Sequence, residues 1–170
     1  MITDNLDPNK IYKISFKKGI TINPLTWLGG LIRLIAKVEY NHTAILFNID
    51  SDWCLQEAIG EGVITTSLEK SSAYSYYTHY SIEEPNFSYN YENCINRIIG
   101  IEGKKYDFKG LLFYQLWLNL FNKWIGKAAH GGDRYYCYES VAYVFAIENS
   151  YRVVPKKLNE MFFTIKEGII

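Results

Sequence analysis

The stretch Arg134-Tyr-Tyr-Cys137-Tyr-Glu-Ser-Val-Ala-Tyr-Val-Phe145 decides how the rest of the sequence is interpreted. It places a cysteine where a helix is expected to begin, a few residues after the run His130-Gly-Gly-Asp133, which is expected to be flexible. The first turn of a helix offers backbone N–H donors and the positive end of the helix dipole, and both favour a thiolate. We therefore expect Cys137 to lie at the tip of a helix that activates its sulfur.

A base for this thiol is offered upstream, in Tyr40-Asn-His42-Thr-Ala-Ile-Leu-Phe47, where a histidine opens an apolar run typical of a buried strand. A cysteine on a helix tip beside a histidine on a strand is the arrangement of a thiol hydrolase. The alternative is a small buried cysteine and an unrelated histidine. It stays open at this point because free cysteines are commonly core residues.

The composition bounds the size and the partners of the protein. A chain of 170 residues with no repeat or linker fits a single domain, residues 1–170. Its 18 Lys and Arg residues balance 18 Asp and Glu residues. Nothing in the charge therefore favours nucleic acid or an anionic membrane as a partner.

The cysteines and the first residues indicate a compartment. Cys54, Cys94 and Cys137 form neither a metal-type pair nor an even disulfide set, so we expect no metal and no cofactor. The start of the chain, Met-Ile-Thr-Asp-Asn-Leu-Asp-Pro, is polar and acidic and is not a secretory signal. Together these features predict synthesis in the cytoplasm, and later release by lysis or packaging in a particle stays open.

The order of predicted elements is that of one α+β domain. Three consecutive runs with short turns, the first opening at His42, predict an antiparallel meander, and helical patterns dominate the second half. The predicted strands cover residues 11–17, 42–49, 53–59, 63–67, 76–83 and 162–165. The predicted helices follow Pro24 as far as residue 35 and cover residues 89–101, 107–125, 137–148 and 155–161.

One segment, residues 110–125, is apolar nearly all round. It is shorter than the roughly 20 residues that cross a bilayer, so we expect a buried or partly exposed helix and no transmembrane segment. If one face is exposed, Trp117 and Trp124 would belong to an aromatic ridge fit for a lipid or a partner protein.

The meander supplies a candidate third residue. For a hairpin with its turn at residues 50–52, His42 and Glu57 come out roughly opposite each other. A carboxylate there can reach the far nitrogen of the imidazole, fix its tautomer and stabilise its charged form. A slip of one residue in the pairing of the strands would reverse the face, and Gln56 would then be the residue near His42. A further alternative is that Glu57 is a solvated strand residue without a role.

Three short motifs follow one another with the histidine first and the cysteine last: Tyr40-Asn-His42-Thr-Ala-Ile, Gly103-Lys-Lys-Tyr106-Asp107-Phe and Tyr136-Cys137-Tyr-Glu139-Ser-Val. With them the chain resembles the circularly permuted papain-fold hydrolases, relatives of the NlpC-type peptidoglycan endopeptidases, and most of all the YiiX-like amidases. That family shows Ser-His-Val-Gly, Gly-x-x-Tyr-Asp and Cys-Ser-Glu-Leu/Val at these places. The resemblance implies a permuted papain-like fold, a meander sheet packed against helices with the nucleophile on a late helix.

The resemblance also implies a catalytic set. Cys137 would be the nucleophile, His42 the general base and Glu57 the orienting carboxylate of a cysteine amidase or peptidase that forms an acyl-enzyme. The backbone N–H of Cys137 would be one oxyanion donor. In the folded protein we expect the Cys137 sulfur within about 4 Å of one ring nitrogen of His42, with the other nitrogen facing Glu57.

Other positions match or depart from the family pattern. Glu139 matches the Glu of Cys-Ser-Glu, and Tyr106-Asp107 matches the Tyr-Asp pair without an assigned role. Tyr138 replaces the usual small Ser, which bears on the choice of substrate more than on the chemistry. Asn41-His42-Thr43-Ala44 replaces Ser-His-Val-Gly.

Two further histidines compete for the role of base. His130 precedes two glycines in a predicted loop, where a histidine is usually solvated. His79 lies among several tyrosines, which indicates an aromatic strand surface rather than a base.

Three classes of function remain. The first is a cysteine hydrolase that cleaves a peptide or another amide conjugate. The second is a lipid-directed acyltransferase or hydrolase, because the lecithin:retinol acyltransferase relatives share the His-then-Cys order and the aromatic helix 110–125 could meet acyl chains. The third is a non-catalytic interaction or particle component that keeps the fold.

Overall fold

A six-stranded antiparallel sheet is the frame of the structure, a computed structural model that describes residues 2–17, 39–40, 42–111, 121 and 133–170. The strands are β1 (Tyr12–Lys17), β2 (His42–Ile49), β3 (Asp52–Ile59), β4 (Gly62–Ser67), β5 (His79–Pro85), β6 (Lys105–Tyr106), β7 (Arg134–Tyr135) and β8 (Phe162–Ile169). The main sheet has the order β4-β3-β2-β1-β5-β8, and β6 and β7 form a separate parallel pair.

Helices complete the mixed α+β architecture that the sequence predicts. They are α1 (Ser72–Tyr76), α2 (Tyr91–Ile101), α3 (Cys137–Val144) and α4 (Pro155–Glu160), with 3₁₀ turns at Leu68–Lys70 and Ser150–Arg152. Among the described residues, no helix is both long and apolar enough to span a membrane.

The predicted meander is confirmed as β2, β3 and β4. Its first turn consists of Asp50 and Ser51, both with left-handed backbone (φ 50° and 72°). Positive φ at both central residues is the mark of a type I′ turn, whose twist matches that of the flanking strands. The turn closes on the pair Ile49 and Asp52, so β3 begins one residue earlier than predicted.

The two faces of the sheet are covered by different groups. On one face Ile45 and Phe47 share a core cluster with Val141 of α3. On the other, Ala44 and Leu46 share a cluster with residues of β1 and α1. Because side chains alternate along a strand, the even-numbered residues of β2 face the side of α1 and the odd-numbered ones the side of α3.

The segment that leads into β6 is hydrogen-bonded to the turn between β3 and β4. Val63 N–H donates to the carbonyl of Lys104 at 2.7 Å, and Gly103 N–H donates to the carbonyl of Val63 at 2.9 Å. Gly62 makes this approach possible, because its φ is 130° and a Cβ there would lie 2.6 Å from the Lys104 oxygen. The β6–β7 ladder then places Tyr106 beside Tyr135, just before Cys137.

Two predicted strand boundaries are wrong by three residues or more. The strand expected from Tyr76 begins only at His79, because Ser71 accepts the N–H of Tyr74 at 2.9 Å and caps the short helix α1. The last strand runs on to Ile169 instead of residue 165, because β8 pairs along the full length of β5.

Other predicted elements lie outside the described residues. These are the helix from Pro24 to residue 35, and the aromatic helix 107–125 beyond Leu111 except Phe121.

The helix that carries Cys137 ends at Val144, earlier than the predicted Glu148. Ala146 has left-handed backbone (φ 58°), and its N–H donates to the carbonyl of Tyr143 at 3.0 Å. Ile147 N–H donates to the carbonyl of Ala142 at 2.9 Å. This pair of hydrogen bonds is the Schellman motif, which usually has glycine at the left-handed position.

We expect Ala146→Gly to stabilise the protein by about 0.5–1 kcal/mol, because a side chain in left-handed backbone is strained and glycine is not. Urea unfolding monitored by circular dichroism measures the difference. Ala142→Gly, inside the same helix, is the control and should destabilise by about 1 kcal/mol or more. A loss of stability in both variants would contradict the strain at Ala146.

Candidate active site

Cys137 is the first residue of α3 and is 4% exposed. Tyr136 before it is extended, and the Tyr136 side chain does not cap the helix. The first N–H groups of a helix have no acceptor within the helix, so the tip of α3 offers donors at the position of Cys137. The predicted helix-tip position of the cysteine is confirmed.

His42 is the first residue of β2 and lies close enough to the side chain of Cys137 for that group to raise the pKa of the imidazole. By strand alternation His42 faces the side of α1, whereas α3 packs on the opposite face. The two residues meet because β2 and α3 both begin at the same end of the sheet. The structure thus brings together the cysteine and histidine that the sequence singled out.

Aromatic rings hold the imidazole of His42 in place. Tyr77 stacks on it with the ring centroids 5.6 Å apart and the planes at 9°. Phe16, its ladder partner in β1, lies at 6.1 Å and 24°. Such stacking restricts rotation of the imidazole, and the π faces favour its cationic form.

Glu57 is fully buried and lies 3.1 Å from His42, measured from its Oε2 to the imidazole Nε2. The other ring nitrogen, Nδ1, takes no part in this contact. Ile45 pairs with Gln56, so Glu57 lies beside Ala44 and diagonal to His42, not directly opposite as expected. The predicted face is right, and a diagonal neighbour is still within reach of a long side chain.

The carboxylate of Glu57 is satisfied from the side of α1. The Ser71 hydroxyl donates to it, and the N–H of Ala73 donates to Oε1 at 3.4 Å. A buried carboxylate needs such donors, because an unpaired charge in the interior is strongly destabilising. The start of α1 therefore orients Glu57, which in turn orients His42.

These contacts set the charges of the site. Burial alone would lower the pKa of His42, but hydrogen bonds to Cys137 and Glu57 outweigh it and raise the pKa to about 9. Burial would raise the pKa of Glu57, but the hydrogen bonds with His42 and Ser71 hold it below its ordinary value. The raised pKa favours the charged form of His42, which lies between Glu57 and Cys137.

The sequence also offered Gln56 in place of Glu57, and His79 and His130 in place of His42. None of these that the structure describes is part of the site. Gln56 points to the other face, where its amide donates to the carbonyl of Ile98 at 2.8 Å. His79 is exposed, with its Nδ1 2.8 Å from the hydroxyl of Thr78. His130 lies outside the described residues.

Tyr138, the bulky residue after Cys137, packs inside the protein. It is buried, and its hydroxyl donates to the backbone carbonyl of Tyr40 at 3.0 Å. This hydrogen bond ties the first turn of α3 to the segment that enters β2. Tyr138 thus helps to hold Cys137 and His42 together.

The Tyr106-Asp107 motif lies beside the approach to Cys137. The N–H of Asp107 donates to the carbonyl of Tyr135 at 3.0 Å, and Asp107 Oδ1 accepts the N–H of Gly110 at 2.9 Å. Burial, and after it the nearby Cys137, raises the pKa of Tyr106. Tyr106 therefore stays a neutral phenol at physiological pH.

Glu139 occupies the third position of α3 and is buried. Its carboxyl accepts the backbone N–H of Tyr136, which is one half of a capping box. Burial, and after it the negative charge of Asp107, raises the pKa of Glu139 to about 8. Among the described residues its Oε2 has no hydrogen-bond partner.

Sequence reasoning missed three residues of this site: Phe16, Ser71 and Tyr77. Ser71 could have been found, because a serine before a short polar run is a helix N-cap signal. The stacking of Phe16 and Tyr77 on His42 has no local signal, since it depends on how β1 and α1 meet β2.

The described residues contain no group of three metal-ligating side chains, and Cys54 and Cys94 are free thiols. A comparison of the chain with models of known protein families and with curated protein sequences found no match.

We expect the pH dependence of stability to report the proton on Glu139. Between about pH 4.5 and 8 the unfolded chain ionises this carboxyl while the folded protein keeps it protonated, so the free energy of unfolding falls as pH rises. Above pH 8 this contribution is constant. The variant Glu139→Gln cannot ionise at this position and so lacks this fall. Between about pH 4.5 and pH 8 its free energy of unfolding should therefore rise relative to that of the wild type by on the order of a few kcal/mol.

Urea unfolding at one-unit intervals from pH 4 to pH 9 measures this difference. Glu148→Gln, which replaces an exposed glutamate beyond the end of α3, is the control and should run parallel to wild type. Parallel curves for Glu139→Gln would contradict a protonated Glu139.

Proposed function

We propose that this protein is a cysteine-dependent hydrolase that cleaves an amide bond, in a peptide or an amide conjugate, through an acyl-enzyme intermediate. The observation that supports it is the contact series from Cys137 through His42 to Glu57 at the tip of α3. A nucleophile, a base in contact with it and a group that orients the base are the parts that acyl transfer needs.

In the first half-reaction the thiolate of Cys137 attacks the carbonyl carbon, and a C–S bond forms. The negative charge moves to the carbonyl oxygen, where the backbone N–H groups at the tip of α3 can stabilise it. His42 then gives its Nδ1 proton to the amide nitrogen as the C–N bond breaks, and the amine leaves. The product of this step is a thioester on Cys137.

In the second half-reaction His42, now neutral, takes a proton from water. The hydroxide equivalent attacks the thioester carbonyl, the C–S bond breaks and the carboxylic acid leaves. The thiolate and the imidazolium are restored. Glu57 stays ionised throughout, holds the tautomer of His42 and stabilises its charged form.

The burial of charge supports a chemical role over a purely structural one. Glu57 is 0% and His42 7% exposed, and taking a charged group out of water costs several kcal/mol. Apolar residues of similar volume would hold the end of a sheet as well or better. The buried pair therefore favours a catalytic role over that of a component that only keeps the fold.

The order of the site residues supports assignment of the fold to the permuted papain-like type. The histidine strand β2 and the glutamate strand β3 precede the cysteine helix α3 in the chain. This is the order that the resemblance to the YiiX-like amidases implies.

Selective labelling tests the thiolate without knowledge of the substrate. We expect iodoacetamide at neutral pH to label Cys137 first, because the imidazolium of His42 favours its thiolate. Burial raises the pKa of Cys94 to about 11 and also raises the pKa of Cys54, so both should react slowly. Mass spectrometry of peptides after brief treatment measures the three rates.

The variant His42→Ala should slow labelling of Cys137 by about tenfold or more, whereas His79→Ala is the matched control and should leave it unchanged. Faster labelling of Cys54 or Cys94, or equal rates in the two variants, would count against the proposal.

Turnover on a panel of peptidoglycan peptides, N-acyl amino acids and lipid esters tests the activity itself. We expect Cys137→Ala and His42→Ala each to lower kcat/KM by more than about 10³-fold, because nucleophile and base act as one unit. Glu57→Gln should retain partial activity, since an amide can orient the imidazole but cannot stabilise its charge. In the wild type, kcat/KM should fall as pH rises through about 9, where His42 loses the proton for the leaving group.

Turnover on this panel also distinguishes the hydrolase from the acyltransferase and from a non-catalytic component. Transfer of the acyl group from a lipid ester to an added amine, rather than to water, would favour the acyltransferase. Loss of folding in Cys137→Ala together with no turnover on any member of the panel would make the cysteine a core residue.

A further inference from the structure

A cavity of about 690 Å³ lies at the opposite end of α3 from Cys137. Its walls come from α2, the turn after α3, the 3₁₀ turn at Ser150–Arg152 and α4. Because α3 has eight residues, its two ends are about 12 Å apart. The volume falls in the range of roughly 300–1,000 Å³ that is typical of small-molecule sites.

Aromatic side chains give this cavity an apolar floor. Tyr89 packs edge-on against Phe145 with the ring centroids 5.3 Å apart, and Phe87 meets the same ring edge-on at 6.1 Å. The thiol of Cys94 also lines the cavity, and burial raises its pKa to about 11, so it is neutral at physiological pH. The floor thus suits an uncharged, flexible or flat group.

Three cations surround this floor: Arg97, Arg152 and Lys157. The guanidinium of Arg97 is fixed, because it donates to the carbonyl of Tyr143 at 2.7 Å and lies 5.0 Å from the centre of the Tyr143 ring. Arginine carries five N–H donors, so this contact leaves others for a ligand.

The remaining charges keep the cavity positive. Among the described residues, Lys157 has no carboxylate partner, and Glu148 is the one carboxylate that lines the cavity. Glu148 lies 3.5 Å from the amide of its own neighbour Asn149. Three cations against one anion, next to a floor of aromatic rings, select for a molecule that is anionic at one end and apolar at the other.

We propose that this cavity binds a small amphipathic carboxylate, with the carboxylate between Arg97, Arg152 and Lys157 and the apolar chain on Phe87, Tyr89 and Phe145. The site is separate from Cys137 and does not depend on the proposed hydrolase activity.

Calorimetric titration with three probes tests both halves of the site. Octanoate carries charge and chain, octanamide has the chain without the charge, and acetate has the charge without the chain. Octanoate should bind at least about tenfold more tightly than either of the others, and added NaCl should weaken it, because the contacts to exposed cations are screened. Absence of octanoate binding, or equal binding of octanamide, would overturn the proposal.

Paired variants locate the site. Lys157→Gln combined with Arg152→Gln should weaken octanoate binding by on the order of tenfold, since two of the three cations are removed and each exposed cation contributes only a few-fold. Lys156→Gln is the matched control: Lys156 is the neighbouring lysine of α4, faces Glu160 at 4.0 Å and does not line the cavity, so its loss should have no effect. Lys157 and Arg152 are both exposed, so their replacement should leave the fold intact, and circular dichroism checks this.

A third variant distinguishes this cavity from the catalytic site. Cys137→Ala should bind octanoate as tightly as the wild type. Loss of binding in Cys137→Ala, or unchanged binding in the double variant, would place the carboxylate elsewhere and overturn the proposal.

Discussion

The hydrogen bond between the buried carboxylate of Glu57 and the imidazole of His42 is the constraint on which the site depends. A carboxylate with no access to water must find all its donors within the protein. Here the donors come from β2, from Ser71 and from the first turn of α1. One side chain thereby fixes both the register of β2 against β3 and the place of α1, since a slip of one residue would put Gln56 in its position.

The helix of Cys137 depends on its surroundings more than on its own sequence. Eight residues are too few for an isolated helix to be stable in water, so packing on the sheet must hold α3 in place. Val141 contributes apolar contacts on the face of Ile45 and Phe47, and Tyr138 bonds the carbonyl of Tyr40. These contacts let a cysteine that belongs to one face of the sheet reach a histidine that belongs to the other.

The local patterns in the sequence were enough to predict β2, β3, β4 and the helix tip at Cys137. They favoured Glu57 on the face of His42 but left Gln56 as the alternative, because a slip of one residue between the two strands reverses the face. The offset between the two depended on the turn, and Asp50-Ser51 does not carry the Asn-Gly signature that marks a type I′ turn. The end of α3 at Ala146 was missed for a similar reason, since the sequence has no glycine there.

The site contains two buried carboxyl groups whose surroundings drive their proton affinities in opposite directions. Glu57 receives donors and stays ionised, whereas Glu139 is buried near the charge of Asp107 and has a pKa of about 8. A carboxylate in the first turn of a helix would compensate the positive end of its dipole. Because a pKa of about 8 keeps most Glu139 protonated at neutral pH, that positive end remains for the sulfur of Cys137 and for the negative charge that develops on a bound carbonyl. The proton on Glu139 therefore keeps that carboxyl from opposing an anion at the tip of α3, while the charge on Glu57 favours the positive charge of His42.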